Sequence, residues 1–131
     1  MIYRNIKIGR WHVCFIFAPN GYDDNAILDI LYDLDASDYI LVKAGKKLRE
    51  ARPNEGFTFT NGGIREALVV IGPSTSGKEF INTFVHEIKH LSVAIADGLG
   101  LDIRGEGAAY LAGDAAGELV DVVCLLGCGR E

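Results

Sequence analysis

The stretch Ser76-Gly77-Lys78-Glu79-Phe80-Ile81-Asn82-Thr83-Phe84-Val85-His86-Glu87-Ile88-Lys89-His90, continuing from Leu91 to Asp97, decides how the fold is read. Phe84, Ile88, Leu91 and Ile95 recur at three- or four-residue intervals, the period of an α-helix with one buried face. Ser76 and Glu79 have the Ser-x-x-Glu spacing that caps a helix start, and Gly98-Leu99-Gly100 offers the left-handed conformation that closes one. On this helix His86, His90 and Asp97 fall within about 40° of one another, away from the apolar stripe. One face therefore packs on a core, and the other carries a polar constellation in a cleft with Val93 beside it.

Upstream, Tyr3 to Ala18 is rich in β-branched and aromatic residues and stops at Pro19-Asn20-Gly21, which predicts one or two strands. Arg4, Lys7 and Arg10 ahead of the apolar run Trp11 to Ala18 imitate a signal peptide, but the run is too short to cross a bilayer and lacks a cleavage pattern. Asp23 or Asp24 caps a helix that carries Ile27, Leu28, Leu31 and Leu34 to about Asp35. Ser37 caps another over 38–51, expected to turn Tyr39, Ile40, Val42 and Leu48 inward and Lys43, Lys46, Lys47 and Arg49 mostly outward. Phe57-Thr58-Phe59-Thr60 alternates with period two, Asn61-Gly62-Gly63 signals a hairpin, and Ala67 to Ile71 is a short apolar strand. A last helix is expected from Gly105 to Cys124 or beyond. The fold class expected is α+β, a single domain over 1–131 in which a small sheet backs the motif helix and a C-terminal helix closes the site.

Residues 86–90 read His-Glu-Ile-Lys-His, a match to HExxH in mid-helix. Side chains four apart stand one turn above the other, so His86 and His90 can reach one cation from the same side. Zinc accepts neutral imidazole readily, and Glu87 can point beside it toward a water. Zinc lowers the pKa of that water to about 7, and a carboxylate takes the proton and later gives it to a leaving amine, which is peptide hydrolysis.

Such a site needs a third protein ligand, and Asp97, Asp102, Glu106 and Asp114 lie downstream. Glu106 fits best because it opens the last helix, after a loop long enough to fold that helix back across the first. Glu106, Tyr110, Gly113, Asp114 and Gly117 then share one stripe, expected to face the metal, with the glycines allowing close backbone approach. Gly72-Pro73-Ser74-Thr75-Ser76-Gly77-Lys78 comes within one residue of a phosphate-cradling loop. The position that should hold magnesium is Glu79, a negative charge where phosphates would sit, and the capping box explains the same residues.

His86-Glu87-Ile88-Lys89-His90 followed by a Glu near the start of the next helix resembles the gluzincin branch of zinc metallopeptidases. More narrowly, Glu79 to Asp114 is similar to small metallopeptidase-like proteins of phages and mobile elements. The resemblance covers about the second half of the chain. It implies a zincin-like fold, zinc as cofactor, His86, His90 and Glu106 as ligands, and Glu87 as base. It also implies the strand Ala67 to Ile71 as the edge on which an extended peptide or protein substrate pairs. Larger gluzincins often brace a ligand histidine with an Asp four residues after the ligand Glu, where this chain has Tyr110. Asp97, Asp102 and Asp114 are the acids available for that role, the Tyr110 hydroxyl is a further alternative for it, and Tyr110 is also a candidate oxyanion partner in catalysis. The extended metzincin signature is absent, since position 93 is Val and position 96 is Ala.

The chain has 131 residues, 49% hydrophobic and 24% charged, a globular balance able to bury a core. With a net charge of −5 and basic residues concentrated only at Lys43 to Arg52, no broad cationic face suggests nucleic acid or membrane as a partner. Cys14, Cys124 and Cys128 are too few for an even disulfide framework and favour a reduced, cytoplasmic setting. Cys124 and Cys128 are expected to be buried small hydrophobes. The expected activity is zinc-dependent peptide hydrolysis, and the alternative is a catalytically inactive metal-binding or protein-interaction module.

Overall fold

The computed structural model describes residues 1–19, 23–102 and 104–128. The first strand, β1 (Ile2–Ile8), turns at Gly9 (φ +58°) into β2 (Trp11–Phe17), its antiparallel neighbour. Asn20 and Gly21 of the expected turn lie outside the described residues. Two helices follow, α1 (Asp24–Asp33) and α2 (Asp38–Glu50), then β3 (Gly56–Asn61) and β4 (Glu66–Ile71). The motif helix is α3 (Gly77–Gly98), and the chain continues through α4 (Glu106–Glu118) and α5 (Val120–Gly127).

The strand order is β1-β2-β4-β3, with β4 parallel to β2 and antiparallel to β3. A parallel pair requires a crossover, which α1, α2 and β3 supply. Both faces of the central strands are buried, so β4 reads Glu-Ala-Leu-Val-Val-Ile without polar alternation. The strand Ala67 to Ile71 is therefore interior, not the expected edge. The free edge beside α3 belongs to β3, because β2 already occupies the other side of β4.

Three layers result. Phe15, Phe17, Val69 and Ile71 meet Phe80, Phe84, Ile88, Leu91 and Ile95 of α3, with Ala115, Leu119 and Val122 from α4 and α5 completing that core. Phe15, Phe17, Phe80 and Phe84 form a ring cluster at centroid separations of 5.7 to 6.3 Å, which fixes α3 on the sheet. On the opposite face Ile16, Leu68 and Val70 pack with Ile27, Leu31, Leu34 and Ala44 of the α1–α2 layer. The architecture is α+β, a mixed four-stranded sheet with five helices among the described residues. No described helix is long and apolar enough to cross a membrane.

Both predicted serine caps form: Ser37 Oγ accepts from Ile40 N at 3.3 Å, and Ser76 Oγ from Glu79 N at 3.1 Å. Three expectations are corrected. Tyr39 and Val42 point to solvent, because the buried stripe of α2 runs through Leu41, Ala44, Gly45 and Leu48. The last helix is two, since the backbone leaves helical geometry at Leu119 (φ −112°, ψ 17°), whose side chain is fully buried. Cys124 and Cys128 are exposed free thiols, because that bend turns Val122 rather than Cys124 into the core.

Candidate functional site

The alternation in Phe57-Thr58-Phe59-Thr60 is what builds one wall. Thr58 lies opposite Val69, which lies opposite Phe15, and both of these belong to the α3-side core. Residues in one cross-strand row share a face, so Thr58 faces α3, and by the same register so do Gly56 and Thr60. Phe57 and Phe59 alternate to the α1–α2 side.

From α3, His86 and His90 project over this wall with Nε2 atoms 3.1 Å apart and rings at 83° to each other. Two imidazole nitrogens on a tetrahedral zinc, at Zn–N distances of 2.0–2.1 Å, stand about 3.3 Å apart. The pair thus has the donor type and separation that zinc takes. Without metal, one of the two Nε2 atoms must carry the shared proton, and a cation would replace it.

Glu87 is only 4% exposed. Its Oε1 accepts a hydrogen bond from Thr58 Oγ1 at 2.8 Å, while Oε2 has no protein partner among the described residues and is not sealed from solvent. A nearly buried carboxylate held by a single hydroxyl is a costly choice where an apolar side chain could pack. Departures of that kind from a core's local rules concentrate at functional sites.

Thr58, Thr60, His86, Glu87, His90 and Ala94 line an open trough of about 420 Å³. A hollow of about 270 Å³ adjoins it, sharing Lys47, Gly56, His86 and Glu87 and bounded by Asn54 and Asn82. Lys47 reaches in from α2 and donates to the Gly56 carbonyl at 2.7 Å, and Thr83 Oγ1 donates to the Asn54 carbonyl at 3.1 Å. These bonds pin the start of β3 between two helices.

The structure brings together His86, Glu87 and His90, and leaves Glu106 and Tyr110 outside the trough. Both are exposed on α4, Tyr110 at 70%. Helix α4 meets the other flank of α3, where Val85, Ile88, Lys89 and Val93 oppose Ala108, Ala109 and Ala112 across a groove of about 390 Å³. The stripe Glu106, Tyr110, Gly113, Asp114 and Gly117 thus faces solvent rather than the two histidines, because alanines, not glycines, supply the close helix approach. Asp97 and Asp114 are exposed too, and Asp102 Oδ1 accepts from Arg104 N at 2.9 Å in the turn before α4. Among the described residues no three of His, Cys, Asp or Glu converge as a metal-holding group.

Compared with known protein families, curated proteins and solved structures, the chain matches none. The functional reading therefore rests on the residues themselves. Thr58, Gly56 and Lys47 are the members of the site that motif reasoning missed. The alternation at residues 57–60 does put Thr58 and Thr60 on one face, but only the sheet order reveals that this face lies beneath Glu87.

Proposed function

We propose that this domain is a zinc-dependent, gluzincin-type peptidase of zincin-like fold, in which His86 and His90 hold the metal and Glu87 is the general base. The observation that carries the reading is the convergence of the two Nε2 atoms at 3.1 Å beside a nearly buried Glu87 with one oxygen free. Glu106, which the resemblance assigns as third ligand, is the donor whose carboxylate would have to travel to reach them. The three free cysteines fit a reduced, cytoplasmic setting.

Zinc, when bound, supplies Lewis-acid chemistry, polarising a carbonyl and acidifying a water. The chain's own residues supply the rest. Oε2 of Glu87 takes the water's proton and returns it to the leaving amine, while Oε1 stays on Thr58. The unpaired edge of β3 can hold an extended peptide as an added strand beside Glu87, which makes the substrate class peptide or protein.

A second reading, a metal-binding or interaction module without catalysis, is favoured by one observation: only two donors converge among the described residues. Glu87→Gln separates the readings. The peptidase reading expects zinc to bind as in wild type while cleavage of a peptide library falls by about 10²–10⁴-fold. Zinc-loaded wild type that cleaves no peptide, or a variant that cleaves as well as wild type, refutes it.

A further inference from the structure

We infer that Thr58 is a positioning residue for hydrolysis, whose hydroxyl fixes one oxygen of Glu87 so that the other faces the trough. The inference rests on the peptidase reading for its catalytic meaning, but its geometric content stands separately.

Three observations carry it. Thr58 Oγ1 lies 2.8 Å from Glu87 Oε1 and 3.4 Å from the Glu87 backbone carbonyl, so its single proton is best donated to the nearer carboxyl oxygen. Glu87 Oε1 has no other protein donor among the described residues. The strand that presents Thr58 is itself fixed at its start by Lys47 on the Gly56 carbonyl and Thr83 on the Asn54 carbonyl. A base held from a strand that is pinned to two helices keeps its rotamer while substrate arrives, and that is what preorganisation requires. A hydroxyl suits the task because it donates one hydrogen bond without bringing a charge beside the carboxyl group.

Thr58→Val keeps the shape and strand preference but removes the donor, and Thr58→Ser keeps the donor. With the zinc-loaded full chain, Thr58→Val should lower kcat about ten- to a hundredfold with KM and zinc affinity within about twofold, and Thr58→Ser should recover most of the loss. A second readout needs neither metal nor turnover. In protein labelled with ¹³C at the glutamate carboxyl, the Glu87 resonance, assigned by its loss in Glu87→Gln, should move in Thr58→Val and hold in Thr58→Ser.

Wild-type kcat in Thr58→Val, an unmoved Glu87 resonance, or equal impairment of the Ser and Val variants overturns the inference. Should zinc-loaded wild type cleave nothing, the peptidase reading fails by itself, and the carboxyl resonance still decides whether Thr58 positions Glu87.

Discussion

His86 and His90 face each other across one turn of α3 with their Nε2 atoms 3.1 Å apart. Helix geometry alone leaves Cβ atoms four residues apart separated by about 5–6 Å, so the side chains lean together rather than stand parallel. That convergence lies at the solvent end of both rings, in the trough beside β3. A cation there would be held from one side by the helix and remain open on the other.

Glu106 is the acid that decides whether the site is completed from α4. Its side chain is exposed and makes no hydrogen bond or ion pair among the described residues, so Glu106→Gln should leave metal-free stability within about 0.5 kcal/mol. Zinc affinity should nevertheless fall about tenfold or more, because zinc sites of this kind use three protein ligands. Unchanged affinity, measured by chelator competition, would remove Glu106 from the site.

Gly56 and Gly45 predict opposite outcomes for the same substitution. At Gly56 a Cβ would sit 2.4 Å from the Val70 carbonyl oxygen and 3.2 Å from Glu87 Cγ, so Gly56→Ala should cost about 1–3 kcal/mol and displace Glu87. At Gly45, inside α2, its nearest neighbours would be the far end of the Arg49 side chain at 3.2 Å and Leu28 methyls at 3.8 and 3.9 Å. Gly45→Ala should therefore stabilise by about 0.5–1 kcal/mol. Urea unfolding of both variants checks the sign, and a destabilised Gly45→Ala would contradict the packing described for α2.

Much of this was legible in the residues. The capping serines, the apolar period of α3 and the hairpin at Asn61-Gly62-Gly63 are local signals, and each element forms where its own chemistry places it. The strand Ala67 to Ile71 was legible as a strand but not as an interior one, since burial on both faces depends on β2 arriving in parallel from a distant part of the chain. On α4 the stripe through Glu106 and Tyr110 and the alanine face lie side by side, and an alanine-rich helix of weak amphipathicity does not declare which of them packs. Tyr39 and Val42 show the same limit on α2, where smaller residues at Ala44 and Gly45 permit closer packing against α1.

Arg4 of β1 and Asp121 of α5 tie the first strand to the last helix at 3.1 Å. The Arg4 guanidinium, donating to the carboxylate, holds Asp121 below its ordinary 3.8. The folded state therefore binds this proton less readily than the unfolded chain. The contribution is complete above the unfolded value and is lost as pH falls through the folded one. Asp121→Asn should be slightly less stable than wild type at neutral pH, and the difference should shrink below about pH 4 and in high salt. A gap in unfolding midpoint that widens on acidification would contradict the pairing.

The cysteines should divide by environment. Burial raises the Cys14 thiol, against the smaller opposing effect of its hydrogen bond with Tyr3, so little thiolate forms at neutral pH. Cys124 and Cys128 are exposed. Alkylation followed by mass spectrometry should label both before Cys14, and early labelling of Cys14 would mean that the β1–β2 hairpin opens.

The most direct measurement is a zinc titration of the metal-free chain against a chromophoric chelator, beside His86→Ala and His90→Ala. One zinc per wild-type chain, with either substitution weakening binding by about a hundredfold or more, is the result this account predicts. No stoichiometric zinc in wild type, or equal binding after either histidine is removed, would contradict it.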